Sequence, residues 1–316
     1  MILDTCPLVS VVLITYNHES FIAESINSVL MQEVNFEYEI IIGEDLGPDD
    51  TRSICEQYAD QYNFIRVLPR EKNLGVVGNW VDCIKHARGK YIMMLDGDDY
   101  WTNPLKMQCQ FDFMESHCDC VISHTNTDIL HVSTNVLKSS SKKNVPEGMI
   151  QKDVLAGREQ ITSSTMCIRS ESLLRYVPLD MFVKEDFPCE DWPTIAVLSA
   201  YGKICYIPDV MAVYRVGQAS VTNEVNYSKI RKYWQRSKHM IECIYLLFPT
   251  LGEFKDADYF DCYVYNALLN AAYENNDYLA AKEFAQNNPY KNRLATRCAK
   301  CKITFKLYRV YQLIKK

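Results

Sequence analysis

The chain has 316 residues, of which 48% are hydrophobic and 23% are charged. This composition excludes a disordered or fibrous protein and leaves room for one large domain or two ordinary ones. Thirteen scattered cysteines, without the spacing of a small disulfide scaffold, favour reduced thiols. We find no signal peptide at the N-terminus and no window of ~20 residues apolar enough to span a bilayer, so we expect a cytoplasmic protein.

The net charge of −6 conceals a basic C-terminal segment. From Lys291 onward the chain carries nine Lys or Arg residues and no acidic residue, whereas the preceding part has 25 basic and 40 acidic residues. An acidic body argues against nucleic-acid binding. Between residues 303 and 314 the cations are interleaved with Phe305, Leu307, Tyr308, Val310, Tyr311 and Ile314. This pattern predicts an amphipathic helix that either contacts an anionic membrane surface or packs on the rest of the protein.

The N-terminal part alternates strand and helix patterns. Near-continuous apolar runs predict buried strands at residues 8–15, 38–43, 64–68 and 91–95. Helical spacing between them predicts helices at 22–30, from Asp49 onward, and at 75–88. Repeated strand–helix units of this length predict an α/β fold with a parallel sheet and right-handed crossovers.

The C-terminal part is less regular and then helical. We expect strands at 163–168 and 203–207 with a helix at 192–201 between them, followed by helices at 227–248, 258–274 and 278–286. This change of pattern predicts a catalytic domain over residues 1–220 and a helical extension over residues 221–316.

An acidic cluster, Asp96-Gly97-Asp98-Asp99, follows the fourth predicted strand, and Glu44-Asp45 follows the second. Open α/β sheets bind ligands at the carboxyl ends of their strands. Three carboxylates in four residues raise one another's pKa unless a cation lies among them, and Mg²⁺ or Mn²⁺ commonly joins such carboxylates to a diphosphate. The alternative is a solvated acidic turn. No glycine-rich dinucleotide fingerprint or P-loop is present, which disfavours dehydrogenases and P-loop enzymes.

Four motifs occur in the order and spacing of family 2 glycosyltransferases. They are VSVVLITYN (9–17), EIIIGED (39–45), NLG (73–75) and LDGDD (95–99). The sequence therefore resembles this family, of the bacterial polysaccharide type, over residues 7–215. The resemblance implies the GT-A fold and inverting transfer from a nucleotide-diphosphate sugar, most often a UDP-sugar.

The resemblance also implies roles for particular residues. Asp98 would coordinate Mn²⁺ or Mg²⁺ on the diphosphate, and Asp96 would lie near the metal and the ribose. The residues expected around the nucleotide-sugar are Thr15, Tyr16, Asn17, Glu44, Asp45, Asn73, Gly75 and Asn79. Arg215 would either approach the diphosphate or form a salt bridge at the rim.

Inverting transfer needs a carboxylate that deprotonates the acceptor hydroxyl. The sequence CEDW (189–192) is similar to the family's Glu-Asp motif, so we assign Asp191 as the base and Glu190 as a neighbour that contacts the acceptor. Taken alone, Glu-Asp at a helix start would only complement the helix dipole.

The predicted function is a metal-dependent inverting glycosyltransferase that takes a nucleotide-sugar donor and a hydroxyl of a growing glycan or lipid-linked acceptor. One alternative is a catalytically silent nucleotide-sugar-binding scaffold, against which the intact carboxylates argue. The other is a nucleotidyltransferase, which would require a basic glycine-rich loop where the chain has Tyr16-Asn17-His18-Glu19.

Overall fold

A computed structural model describes residues 6–139, 142, 144–157, 160–217, 224–252, 254, 257–289 and 293–315. The chain divides into two units, Met1–Val216 and Gly217–Lys316. Among the described residues, no helix combines the length and the apolar character that crossing a membrane requires. Of the predicted basic segment, Lys291 and Lys316 lie outside the described residues.

The elements are numbered in chain order. The strands of the first unit are β1 (Val9–Thr15), β2 (Tyr38–Glu44), β3 (Ile65–Val67), β4 (Tyr91–Asp96), β5 (Tyr100–Trp101), β6 (Cys120–His131), β7 (Val136–Lys138), β8 (Cys167–Arg169) and β9 (Lys203–Val216). Its helices are α1 (Ile22–Leu30), α2 (Thr51–Gln61), α3 (Gly75–His86), α4 (Lys106–Ser116), α5 (Gln151–Leu155), α6 (Ser170–Tyr176), α7 (Leu179–Lys184) and α8 (Asp191–Leu198). The second unit contains α9 (Tyr227–Leu247), α10 (Ala257–Glu274), α11 (Tyr278–Asn287), α12 (Leu294–Cys298) and α13 (Lys302–Lys315).

A mixed sheet forms the centre of the first unit, in the order β3-β2-β1-β4-β8-β6-β9-β5, and β7 pairs with β6. Strands β3, β2, β1 and β4 are parallel, as predicted, and every residue of β1 is buried because helices cover both faces. The register pairs Thr15 with Glu44 and Ile14 with Asp96. The carboxyl ends of three strands therefore lie side by side.

Two predicted elements differ from the structure. Residues Ser163–Thr165 form a 3₁₀ turn rather than the start of a strand, and only Cys167–Arg169 pairs in the sheet. Strand β9 continues to Val216, well beyond the predicted end. Pro208 and Asp209 occupy an irregularity in this strand, where the pairing with β6 shifts register.

A buried lysine, Lys106, supports the 3₁₀ turn at Ser163–Thr165 through Gln110. The Lys106 Nζ donates a hydrogen bond to Gln110 Oε1 at 2.6 Å and lies 4.2 Å from the ring centroid of Trp101. Gln110 Nε2 in turn donates to the carbonyl oxygen of Thr165 at 3.0 Å. Burial lowers the pKa of Lys106 to about 7, because the ammonium loses its hydration without gaining a carboxylate partner.

We expect the stability contributed by Lys106 to depend on pH. Its native pKa lies below the unfolded value, so the cost of burying the ammonium is fully present below about pH 7 and is relieved as the pH rises towards 10. Relative to Lys106→Met, the wild-type protein should gain about 1.4 kcal/mol of unfolding free energy per pH unit in that window. Urea unfolding at several pH values measures this difference.

Lys72→Met is the matched control, because Lys72 is exposed. Its unfolding free energy should follow the wild-type protein at every pH. Parallel pH profiles for wild type and Lys106→Met would contradict the prediction.

Candidate active site

The acidic turn after β4 is pressed against the end of β1. Gly97 N donates a hydrogen bond to the carbonyl oxygen of Ile14 at 2.9 Å, and Asp99 N donates to the carbonyl oxygen of Asp96 at 3.0 Å. A Cβ atom at Gly97 would lie 2.4 Å from Oγ1 of Thr15. The turn therefore requires glycine because of this close approach, and it carries its carboxylates to the edge of the sheet.

Asp99 anchors the turn from within the protein. Its side chain is fully buried, and its oxygens accept hydrogen bonds from Ser164 Oγ at 2.5 Å and from Arg215 N at 2.9 Å. Burial, together with the charges of Asp98 and Asp96, raises the pKa of Asp99 well above its usual range. This carboxyl group therefore fixes the loop rather than facing a ligand.

Asp96 is the last residue of β4, and the charge of Asp191 in the Glu-Asp motif acts on it. Its Oδ2 accepts hydrogen bonds from Ser163 Oγ and, at 3.3 Å, from Ser164 Oγ. Burial, together with the charges of Asp98 and Asp191, raises the pKa of Asp96 to about 7. Both serines were missed in the sequence, because their segment was taken for a strand whose side chains would alternate.

The carboxylate of Asp98 is partly accessible, with 19% of its side chain exposed. Its Oδ2 lies 3.9 Å from Nε2 of His18, and the Nδ1 of this histidine lies 3.1 Å from Thr15 Oγ1. Burial lowers the pKa of His18, against the opposing effects of Asp98 and Asp49. His18 thus joins the end of β1 to the turn, a role that the sequence pattern did not reveal.

The Glu-Asp motif stands at the first turn of α8. The Asp191 Oδ1 accepts a hydrogen bond from Trp192 N at 2.7 Å, which orients the carboxylate. Glu190 is buried, and its pKa is raised well above the usual range by burial and by the charges of Asp191 and Asp96. The fold therefore brings the two acidic motifs within electrostatic reach of each other.

The charges of both acidic motifs act on Tyr214 of β9, which the sequence analysis did not select. Burial raises its pKa to about 12, and the carboxylates of Asp99, Asp96, Asp98 and Asp191 contribute to that shift. The phenol therefore keeps its proton and can donate a hydrogen bond among these negative charges.

The rim beside β2 brings together four of the predicted nucleotide-site residues. Asp45 N donates to the carbonyl oxygen of Thr15 at 3.0 Å, and Asp45 Oδ1 accepts from Leu74 N at 2.7 Å. Asn73 Nδ2 donates to the carbonyl oxygen of Asp45 at 2.7 Å. Gly75 has a φ of 73°, and its N donates to Asn73 Oδ1 at 3.0 Å. These bonds join the carboxyl ends of β1 and β2 to the start of α3, with Thr15 and Asp45 buried and Asn73 and Gly75 exposed.

Two further predicted residues follow β1, and one ends β2. Tyr16 is 49% exposed at the rim, and Asn17 has a φ of 59°, which turns the chain away from the strand. Glu44 is fully buried, and its carboxylate accepts hydrogen bonds from Gly47 N at 2.7 Å and Leu46 N at 3.2 Å. The structure therefore gives Glu44 the task of shaping the loop after β2.

Asn79 lies below the rim rather than on it. Its Nδ2 donates to the carbonyl oxygen of Gly43 at 2.7 Å, and its Oδ1 accepts from Arg70 Nη2 at 2.7 Å. The side chain is buried, with both amide atoms bonded to the protein. Helix α3 turns Asn79 towards β2, and its contact with a nucleotide-sugar stays a prediction.

Arg215 connects the acidic turn to α1. Its Nη1 donates to the carbonyl oxygen of Asp98 at 2.7 Å, and its Nη2 pairs with the carboxylate of Glu24. The guanidinium carbon lies 4.4 Å from the ring centroid of Tyr100. Arg215 therefore forms a salt bridge, and its approach to a diphosphate stays a prediction.

Comparison with known proteins identifies relatives of this chain. The sequence model of Glycosyl transferase family 2 matches residues 10–177. The uncharacterized protein Rv1520 of Mycobacterium tuberculosis is 28% identical over 232 residues. That match covers 73% of this chain but 64% of Rv1520, which is less than two thirds of the relative's length.

Solved structures share the fold. S. aureus TarS in complex with UDP-GlcNAc has a TM-score of 0.50 and 17% identity, covering 95% of this chain and 89% of that chain. The mannosyltransferase PcManGT from Pyrobaculum calidifontis, in complex with GDP-Man and Mn²⁺, has a TM-score of 0.53 and 13% identity, covering 97% and 88%. At these identities the likeness establishes the GT-A fold, a mixed sheet with flanking helices.

The contact between Gly97 and Thr15 can be tested directly. In Gly97→Ala the added methyl group would overlap Oγ1 and Cβ of Thr15, so the acidic turn must move. We expect the free energy of unfolding to fall by about 1–3 kcal/mol, as for other overpacked sites, measured by urea unfolding. Gly78→Ala in α3 is the control, because its methyl group would meet only Leu74 Cβ at 3.2 Å. Equal stability of the Gly97→Ala variant and the wild-type protein would refute the close approach.

Proposed function

The chain belongs to Glycosyl transferase family 2, and from this premise we propose a metal-dependent enzyme that transfers a sugar with inversion from a nucleotide-diphosphate donor. One observation carries the proposal. Asp96, Asp98 and Asp191 all act electrostatically on Tyr214, so the two acidic motifs converge on one place at the edge of the sheet. Such a gathering of charge suits a metal–diphosphate site beside a general base.

The donor atoms suit a hard divalent cation. Mn²⁺ and Mg²⁺ prefer carboxylate oxygens, and a bound cation would relieve the repulsion that raises the pKa of Asp96. Asp98 would hold the ion through its accessible carboxylate, and Asp96 would be the second ligand. When bound, the ion supplies positive charge that offsets the charge developing on the departing diphosphate.

The rim at β1 and β2 would receive the nucleotide. Thr15, Asp45, Asn73 and Gly75 form its polar surface, and the exposed ring of Tyr16 offers a face on which a base can stack. We propose a UDP-sugar as the donor. The complex of TarS with UDP-GlcNAc supports this choice, whereas GDP-Man in PcManGT makes a guanine donor the alternative that the experiment must separate.

The chain's own groups would complete the transfer. Asp191, oriented by the N–H of Trp192, would take the proton of the acceptor hydroxyl. At the same time the hydroxyl oxygen would attack the anomeric carbon on the face opposite the leaving diphosphate. Glu190, buried beside it with a raised pKa, would remain protonated and could donate a hydrogen bond to the acceptor. Arg215 and Asp99 would hold the acidic turn still during this step.

The acceptor would be a hydroxyl of a growing glycan or a lipid-linked glycan. In this proposal residues 1–220 are the catalytic domain, and the helical extension 221–316 places the enzyme at the cytoplasmic membrane surface, where lipid-carried acceptors are found. The basic segment that follows Lys291 supports this assignment, because it carries no acidic residue.

Nucleotide binding tests the donor and the metal together. Thermal unfolding is measured with UDP, GDP and CDP, each with and without Mn²⁺. A ligand at ~100 times its dissociation constant adds about 2.7 kcal/mol, which should raise the midpoint by several degrees. We expect a shift with UDP that requires Mn²⁺ and is lost in Asp98→Ala, because Asp98 would be the principal metal ligand.

Asp180→Ala serves as the control, since the Asp180 side chain is 88% exposed on α7 and pairs with Lys85. It should respond to UDP and Mn²⁺ as the wild-type protein does. A larger shift with GDP than with UDP would indicate that the donor is a GDP-sugar. A UDP shift that persists in Asp98→Ala would remove the metal assignment, and no shift with any nucleotide would favour a silent scaffold.

The division of roles between the two acidic motifs gives a second test. Asp191→Asn keeps the shape of the side chain but removes the base, so donor-binding affinity should stay within about twofold while transfer falls by about 10²-fold or more. Isothermal titration with UDP and Mn²⁺ measures the first quantity, and sugar release from the donor measures the second. Loss of donor binding in Asp191→Asn would show that the assigned roles are wrong.

A further inference from the structure

Helix α13 presents a row of apolar side chains to solvent. Ile303 is 71% exposed, Leu307 65%, Val310 52% and Tyr311 48%. These positions are separated by four, three and one residues, a spacing that puts them on one face of a helix. We call these four residues the apolar stripe.

A different face of α13 holds the helix to its own unit. Phe305 is buried, and its ring stacks on Tyr273 with the centroids 4.7 Å apart. Tyr308 contacts the same ring at 4.8 Å, and Arg309 Nε donates to the carbonyl oxygen of Tyr273 at 3.1 Å. The sequence analysis placed Phe305 and Tyr308 in the same group as Leu307 and Val310. The structure separates the two sets, because two apolar faces run along this helix.

Exposed cations lie on the same helix as the apolar stripe and in the segment that precedes it. Lys302 and Lys306 are exposed on α13, and α12 with its flanking residues adds exposed Arg293, Arg297 and Lys300. No acidic residue occurs from Lys291 onward. A surface that combines exposed apolar side chains with cations requires a partner that is both apolar and anionic.

We propose that the apolar stripe and these cations dock the protein on the surface of an anionic lipid bilayer. The helix lies in the plane of the interface, with Leu307 and Val310 among the acyl chains and the lysine ammonium groups among the lipid phosphates. The inference rests on the proposed function in one respect, the purpose of membrane binding, which is to bring the enzyme to a lipid-carried acceptor. The binding itself requires neither donor nor acceptor.

The charges favour a lipid surface over the other partners of this face. A second copy of the chain would bring the same cations against each other, which is unfavourable. A soluble polyanion would pair with the cations but leave Leu307 and Val310 in water. A bilayer with anionic headgroups satisfies both sets of side chains at once.

Vesicle binding of the full chain, without nucleotide, tests the proposal. Sedimentation is measured with vesicles of phosphatidylglycerol and phosphatidylcholine and with vesicles of phosphatidylcholine alone. We expect binding to the anionic vesicles, at least tenfold weaker binding to the neutral ones, and weaker binding as salt rises. The variant Leu307→Glu should reduce binding to anionic vesicles at least tenfold.

Leu279→Glu on α11 is the matched control, because Leu279 is 78% exposed in the same unit but stands outside the apolar stripe. It should bind as the wild-type protein does. Val310→Glu provides a second stripe variant if Leu307→Glu lowers the melting temperature. Lys302→Gln and Lys306→Gln should each weaken binding about fivefold.

Other results would overturn the inference. Absence of vesicle binding, equal binding to neutral vesicles, or equal losses in Leu307→Glu and Leu279→Glu would each do so. A dimer in light scattering that disappears in Leu307→Glu would instead assign the stripe to a second copy. The vesicle assay contains no nucleotide, so absence of vesicle binding would not affect the interpretation of the donor-binding tests.

Discussion

Repulsion among the carboxylates at the end of β4 is the constraint on which the rest of the site depends. The turn crowds Asp96, Asp98 and Asp99 together, because Gly97 brings the chain against the end of β1. The three carboxylates differ in their burial and in their hydrogen bonds. Asp99 is buried and hydrogen-bonded, Asp96 is held by serine hydroxyls with its pKa raised to about 7, and Asp98 remains partly exposed. In the proposed site Asp98 and Asp96 would hold the cation, while buried Asp99 fixes the turn that carries them.

The elements that control these charges come from distant parts of the chain. The 3₁₀ turn at Ser163–Thr165 supplies the hydroxyls, β9 supplies the backbone N–H of Arg215, and α8 adds the carboxylate of Asp191. Parallel β1, β2 and β4 end at the same edge, so the rim proposed for the nucleotide is built locally in the first part of the sheet. The groups proposed for proton transfer come later in the chain, which would separate donor binding from chemistry within one fold.

Local patterns predicted β1, β2, β4 and the acidic turn, because a buried parallel strand is a continuous apolar run and glycine marks the tight turn. They were less successful where the surroundings decide the structure. The predicted strand ended at residue 207, yet β9 continues to Val216 through a register shift at Pro208 and Asp209. Tyr214 and His18 were missed because their significance lies in charges that approach them only in three dimensions. The sequence also did not show that α3 directs Asn79 towards β2, where its amide is bonded to the protein.

The amino-acid sequence by itself determined the α/β class, the family resemblance, the acidic motifs and the basic, amphipathic character of the C-terminal segment. These properties depend on residues that are neighbours along the chain. Only the tertiary structure decided which carboxylates are buried, which serines hold them, that Arg215 forms a salt bridge at the rim, and which apolar face of α13 remains exposed. Desolvation, hydrogen bonding and packing depend on distances between residues far apart in sequence, and the fold alone sets those distances.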